Sequence, residues 1–375
     1  MHSRFLCTVI VFLFPLLVNS LMVCGANLDA NLDAIEHWLN YAGSDPGQRA
    51  FDELSQSVAE GQGTPRAEVL AYRAMYANRM VGRTAAKVAL LRDAAAKGYA
   101  PAQARLGWAE VGGQTPGISR ALVDGERLIQ DALRQGDPDA ELFEGRCLAM
   151  KSGAMFSPAN AKPQTVGPEA ASACEHFRKA GNAGRNQSWR YLALVEVSLG
   201  RTTDAIHDLQ RGADAGDGQA RLALGSWYEF GRFVPRDLVL ALKWYLAATA
   251  DSQALTDSAK TVGEFYMRNA NFPNAAEKSF EWLSRAADAG DLDAKFNVAY
   301  CKLSGTGTQM DIPGGLTLLR SAATAGQADA LVALGRYQLS GILIPRDVSA
   351  ARKSFELAAQ RGNEMAQLYL RWMSS

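Results

Sequence analysis

The chain has 375 residues, 48% of them hydrophobic and 21% charged, with 39 basic side chains against 39 acidic ones. A nucleic-acid-binding face needs a basic surplus, and neither the net charge nor any Lys/Arg run supplies one, so nucleic acid is excluded as a partner. The abundance of alanine and glycine suits helices that approach closely.

Residues 1–26 read as a targeting segment. Arg4 supplies a positive start, Phe5 to Val18 form an apolar run containing Pro15, and Cys24-Gly25-Ala26 ends a more polar stretch. Cleavage after Ala26 would leave a periplasmic or secreted chain. The alternative is an inner-membrane anchor, since Leu21 to Val23 would lengthen the run toward the about 20 apolar residues a spanning helix needs. Cys24 does not read as a lipoprotein cysteine, because Val23 stands where a small residue is required. Residues 27–65 read as an N-terminal helical cap. Leu32, Ile35 and Leu39, then Phe51, Leu54 and Val58, mark two amphipathic helices split at Gly43-Ser44-Asp45-Pro46.

From 66 to 363 the chain repeats. Gly98, Gly136, Gly184, Gly216, Ser252, Gly290, Gly326 and Gly362 recur at intervals of 32 to 48 residues, most often 36. Seven residues before each stands a large apolar side chain: Leu91, Ile129, Phe177, Leu209, Tyr245, Leu283, Leu319 and Phe355. Four residues before stands a small one: Ala94, Ala132, Ala180, Gly212, Ala248, Ala286, Ala322 and Ala358. Two coincident columns predict stacked hairpins, none able to bury its apolar face alone. The pattern is clearest over 218–252. Ala220, Leu224, Gly225 and Tyr228 line one face of a first helix, Gly231 stops it, Pro235 forbids continuation and Asp237 caps a second helix carrying Ala241, Trp244, Tyr245 and Ala248. An insertion over 151–168 widens the 137–184 hairpin. It reads either as a tolerated loop or as a binding projection. After Gly362 a half-unit, 364–375, reads as a C-terminal capping helix, with Ala366 and Leu370 inward and Glu364, Gln367 and Arg371 outward.

These residues resemble the Sel1-like repeat family: Ala, three residues, Leu-Gly, then Tyr, Gly, a Pro/Asp turn and an Ala-Ala-x-x-Gly helix end. The likeness is nearest at Val234-Pro235-Arg236-Asp237 and Ile344-Pro345-Arg346-Asp347, with Asp311 holding the same place between them. Tetratricopeptide repeats have a shorter period and a tighter turn. The resemblance implies an all-α, right-handed α-solenoid of about seven to eight helix-turn-helix repeats over 66–363. It also implies a non-catalytic scaffold or adaptor binding other proteins in envelope assembly, secretion, signalling or host contact. Alternatives are a hydrolase or β-lactam-binding protein of the cysteine-rich type and a purely structural spacer. Some relatives staple each hairpin with a disulfide, which here implies Cys147 with Cys174. Cys301 reads as a small buried apolar residue.

No chemistry competes with that reading. His37, His176 and His207 fall in different repeats, and there is no phosphate loop, nucleophile elbow or metalloprotease motif, so no cofactor, metal or catalytic residue is expected. Glu110, Glu144 and Glu196 read as solvated or in ion pairs within their helices. Binding is expected on the concave wall, which first helices line in such solenoids. About eleven residues after the markers stand Ala109, Cys147, Val195, Trp227, Phe265, Cys301 and Tyr337. With Trp108 nearby, the expected partner-binding set is Trp189, Arg221, Trp227, Arg336 and Tyr337. The competing reading places the same aromatics in the core, and for Phe265 the core is preferred.

Overall fold

The computed structural model describes residues 84–113, 117–154, 166–251 and 254–374. The leader, the N-terminal cap, residues 66–83, most of the 151–168 insertion and the marker Ser252 lie outside the described residues. Within them every regular element is an α-helix, and the chain divides into two units. The first holds α1 (Thr84–Ala96), the pair α2 (Ala100–Gly112) and α3 (Leu122–Arg134), and the pair α4 (Pro138–Ser152) and α5 (Glu169–Asn182). The second holds the pairs α6 (Gln187–Ser198) and α7 (Thr202–Asp214), α8 (Gly218–Phe230) and α9 (Leu238–Ala248), and α10 (Leu255–Arg268) and α11 (Ala275–Asp288). It continues with α12 (Leu292–Ser304) and α13 (Ile312–Thr324), α14 (Ala328–Ser340) and α15 (Val348–Gln360), and the single helix α16 (Glu364–Trp372).

The repeat columns explain why the helices stop where they do. The described marker glycines have φ between 76° and 98°, the left-handed region that only glycine enters cheaply. That turn aims the next residue's N–H back at the carbonyl of the small column. Asp217 N donates to Gly212 O at 3.0 Å, Asp291 N to Ala286 O at 3.0 Å and Asn363 N to Ala358 O at 3.1 Å. The following helix then opens on a cap, as at Asp137, whose carboxylate accepts from Ala140 N at 2.8 Å with Pro138 as first helical residue.

Both columns are core. Every member is buried, and the alanines of the small column are fully so. Burial of each large side chain contributes about 1.5–3 kcal/mol. Each lies against the glycine of its partner helix where one is present. A β-carbon added to Gly145 would stand 2.8 Å from the Phe177 ring, one on Gly263 2.6 Å from Leu283 and one on Gly335 2.7 Å from the Phe355 ring. The Leu-Gly step of the repeat therefore exists to receive that side chain.

The Pro/Asp turn has a similar logic. Gly231 ends α8 with φ 64°, Arg236 Nε reaches back to Glu229 O at 2.9 Å, and Asp237 caps Leu240 N at 2.9 Å. The same three steps recur at Gly341, with Arg346 Nε donating to Leu339 O at 3.0 Å and Asp347 capping Ala350 N at 2.9 Å.

Three expectations change. Cys147 and Cys174 are not bridged: both are buried thiols, and Cys147 fills a cluster with Ala104, Val111, Ile129, Ala132 and Ala140. Glu196 is fully buried in α6 instead of solvated. On α16, Ala366 is buried and Leu370 packs on the core, but the outer surface is mixed: beside Glu364, Gln367 and Arg371 it exposes Met365, Leu368 and Trp372.

Candidate interaction face on the first helices

The expected binding set proves to be mostly internal. Trp227 is fully buried, edge-on to Phe233 at 4.8 Å, so it has no surface to offer a partner. Phe265 and Cys301, in the same column, are buried too. Trp189 is buried, with the Arg211 guanidinium 5.2 Å from its ring centre. Arg221 is a strut: its guanidinium donates to Ala213 O at 2.9 Å and Ala247 O at 3.0 Å, satisfying carbonyls at the ends of α7 and α9. Of the expected residues only Arg336 is exposed, and Tyr337 is half-buried.

The reason is angular. Successive helix residues differ by about 100° in direction, so when one column points into the stack its predecessor can point out. One residue before Cys301, Tyr337 and Met373 stand Tyr300, Arg336 and Trp372, at intervals of 36 residues. All three are exposed, Tyr300 by 56% and Trp372 by 65%. The sequence argument missed Tyr300 and Trp372. The signal was present in the unbroken 36-residue interval that links both to Arg336.

These residues lie on neighbouring helices held in register. Gln327, the cap of α14, donates from Nε2 to Asp293 Oδ1 on α12 at 3.1 Å. Asn363, the cap of α16, donates from Nδ2 to Asp329 Oδ1 on α14 at 2.9 Å. Each amide uses its oxygen to cap its own helix, Gln327 for Ala330 N and Asn363 for Ala366 N at 3.1 Å. Lys260 on α10 continues the series by pairing with Asp291, the cap of α12, at 2.9 Å. With their starts tied at equivalent positions, α12, α14 and α16 carry Tyr300, Arg336 and Trp372 at the same position of each helix. Asp293 and Asp329 stand two turns earlier on the same face.

The corresponding positions of the first unit are Trp108 and Arg146. The Arg146 guanidinium lies 3.9 Å over the Trp108 ring, which also stacks with Phe143 at 5.5 Å. Both cation and rings are thus engaged with each other. Nearby, burial raises the carboxyl pKa values of Glu110 and Glu144. His176 Nδ1 meets Glu141 Oε2 at 2.6 Å. Burial, reinforced by the charges of Glu144 and Glu126, pushes the Cys147 thiol up to about 12, which removes it as a nucleophile. The described residues bring no three metal-ligating side chains together.

Another feature without a clear sequence signal lies in the second unit. Glu229 is buried at the end of α8 and receives Arg268 Nε at 3.0 Å, Arg268 Nη2 at 3.1 Å and the Tyr245 hydroxyl at 2.8 Å. Three helices, α8, α9 and α10, are joined at that carboxylate.

Paired helices with repeating core columns define a helical-hairpin repeat protein. The kind of repeat is specific: residues 209–251, 272–291, 292–327 and 328–363 match the family model of the Sel1 repeat, and this part of the chain is an array of Sel1 repeats. The crystal structure of a Sel1 repeat protein from Oxalobacter formigenes is similar in fold, with a TM-score of 0.53 at 22% identity over 94% of this chain and 92% of that one. A protective antigen present in uropathogenic Escherichia coli strains, displaying an SLR fold, aligns at 21% identity over 92% of this chain and 79% of that one, with a TM-score of 0.38. No curated protein sequence matches. Sel1 repeats generally mediate protein–protein interaction and are typically non-catalytic. No helix among the described residues is long and apolar enough to cross a membrane.

Proposed function

We propose that this chain is a non-catalytic interaction scaffold of the bacterial cell envelope and that partner proteins dock on the first-helix face of its second unit. The observation that carries the reading is the in-register row Tyr300, Arg336 and Trp372. Tyrosine, tryptophan and arginine are the residue types that dominate binding energy at protein interfaces, and here they stand exposed on three alternate helices, α12, α14 and α16. The placement in the envelope is supported by Arg4 and the apolar run Phe5 to Val18.

The test is a photo-crosslinking amino acid placed at position 300 in the full chain in cells, with position 356, exposed on the second helix α15, as the comparison. Partner adducts at 300 and not at 356 are expected. Equal adducts at both positions, or none at 300, would overturn the reading. N-terminal sequencing of the released protein checks export, with Asn27 as the expected first residue.

A further inference from the structure

We infer that the docked partner is an extended segment presenting one carboxylate side chain between two apolar ones, a deepening that rests on the reading of this face as the docking surface. Arg336 decides the charge. Its guanidinium is exposed and forms no hydrogen bond or ion pair among the described residues. On the neighbouring helix α12, Lys302 is already engaged, by Asp311 at 3.0 Å. An unpaired guanidinium between two aromatic residues is complementary to a carboxylate, which it can hold through two parallel N–H donors, while Tyr300 and Trp372 offer apolar surface to the flanking side chains.

Spacing then sets the pattern. Packed helices lie about 8–10 Å apart and an extended chain advances about 3.3 Å per residue, so one helix step corresponds to about three residues. A segment crossing α12, α14 and α16 would read apolar, two residues, Asp or Glu, two residues, apolar. Asp293 and Asp329 lie about 10 Å along the helices, two turns away. Asp293 is already paired with Lys260 at 3.5 Å, so it is Asp329 that repels an anionic segment slipping toward the helix starts and confines the carboxylate to the Arg336 row.

The experiment is selection of phage-displayed random dodecapeptides on the immobilised full chain, followed by capture of the enriched clones on Arg336→Ala, Tyr300→Ala and Trp372→Ala chains whose helical content and melting match the parent. The expected result is enrichment of Asp or Glu three residues from an apolar residue on either side. Capture should fall at least tenfold on Arg336→Ala and weaken as salt is raised. Enriched clones without an acid that still need Tyr300 and Trp372 would overturn the carboxylate inference and leave the docking face standing. Clones indifferent to Tyr300 and Trp372, or no enrichment, would overturn both.

Discussion

Tyr245 occupies the space that a side chain at Gly225 would need: a β-carbon built there stands 2.4 Å from Cε1 of the ring. Two columns of the repeat, the glycine of the first helix and the large residue of the second, are therefore one contact seen from both sides. Gly225 lies inside a helix, where alanine ordinarily gains up to about 1 kcal/mol in propensity. Overpacking a filled core costs about 1–3 kcal/mol, and the buried phenol ring has nowhere to move. Gly225→Ala should thus lower stability, read as a lower melting temperature. An unchanged or raised melting temperature would show that α8 and α9 can separate freely.

The Glu229 node gives a prediction with a pH signature. Glu229→Gln keeps the shape but strips the charge that Arg268 and Tyr245 address, and leaving the buried Tyr245 hydroxyl poorly matched costs about 1–3 kcal/mol. The Tyr245 hydroxyl is held above its ordinary 10.0, first by burial, then by the Glu229 charge and the hydrogen bond donated to it. Because the folded value is the raised one, this contribution is whole below pH 10.0 and is lost as pH climbs past it. Tyr245→Phe should be less stable than the parent near neutrality, and the gap should narrow above pH 10.0 in urea titrations. A gap that widens there would contradict the buried, protonated phenol.

Cys147 should be silent in the folded chain. Its thiol is buried and raised from 9.0 to about 12, so it is neither exposed nor ionised at pH 8. Iodoacetamide should leave the Cys147 peptide unmodified in native protein and modify it in urea, as mass spectrometry of the digest would read. Labelling at native pH 8 would refute the packing assigned to this residue.

Trp227 and Trp372 should part company when truncated. Trp227→Ala empties a fully buried site and is expected to cost about 3–5 kcal/mol. Trp372→Ala removes a ring that is 65% exposed and should change stability by less than about 1 kcal/mol while weakening partner capture. Parallel melting curves and capture assays distinguish the two. If Trp372→Ala melts as early as Trp227→Ala, the tryptophan at the end of α16 is structural.

The hairpins were legible because their signal is redundant. Leu283, Ala286 and Gly290 recur as Leu319, Ala322 and Gly326, and each column has a local geometric cause in burial or a left-handed turn. The binding face was harder to read. Trp227 and Tyr337 share a column, yet one is fully buried and the other half-buried, because exposure depends on what the neighbouring repeat lays over the site. An aromatic residue suits a core and an interface equally, so its type does not choose between them. Arginine type did not choose either: Arg336 is exposed, whereas Arg221, expected beside it, bridges the ends of α7 and α9. Glu229 lacked a sequence signal: its partners Tyr245 and Arg268 are 16 and 39 residues away and meet it only after α8, α9 and α10 have packed.

The amide caps Gln327 and Asn363 have a consequence for how the array comes apart. Since one side chain both starts a helix and fastens it to the preceding repeat, a helix end that frays also lets go of its neighbour, and a repeat that detaches also loses its own start. Loosening at α16 would release Asp329, then expose α14 to the same fate, so opening should spread inward from the C-terminal end in whole-repeat steps. In hydrogen exchange that would appear as a staircase of protection, with the amides of one hairpin exchanging together.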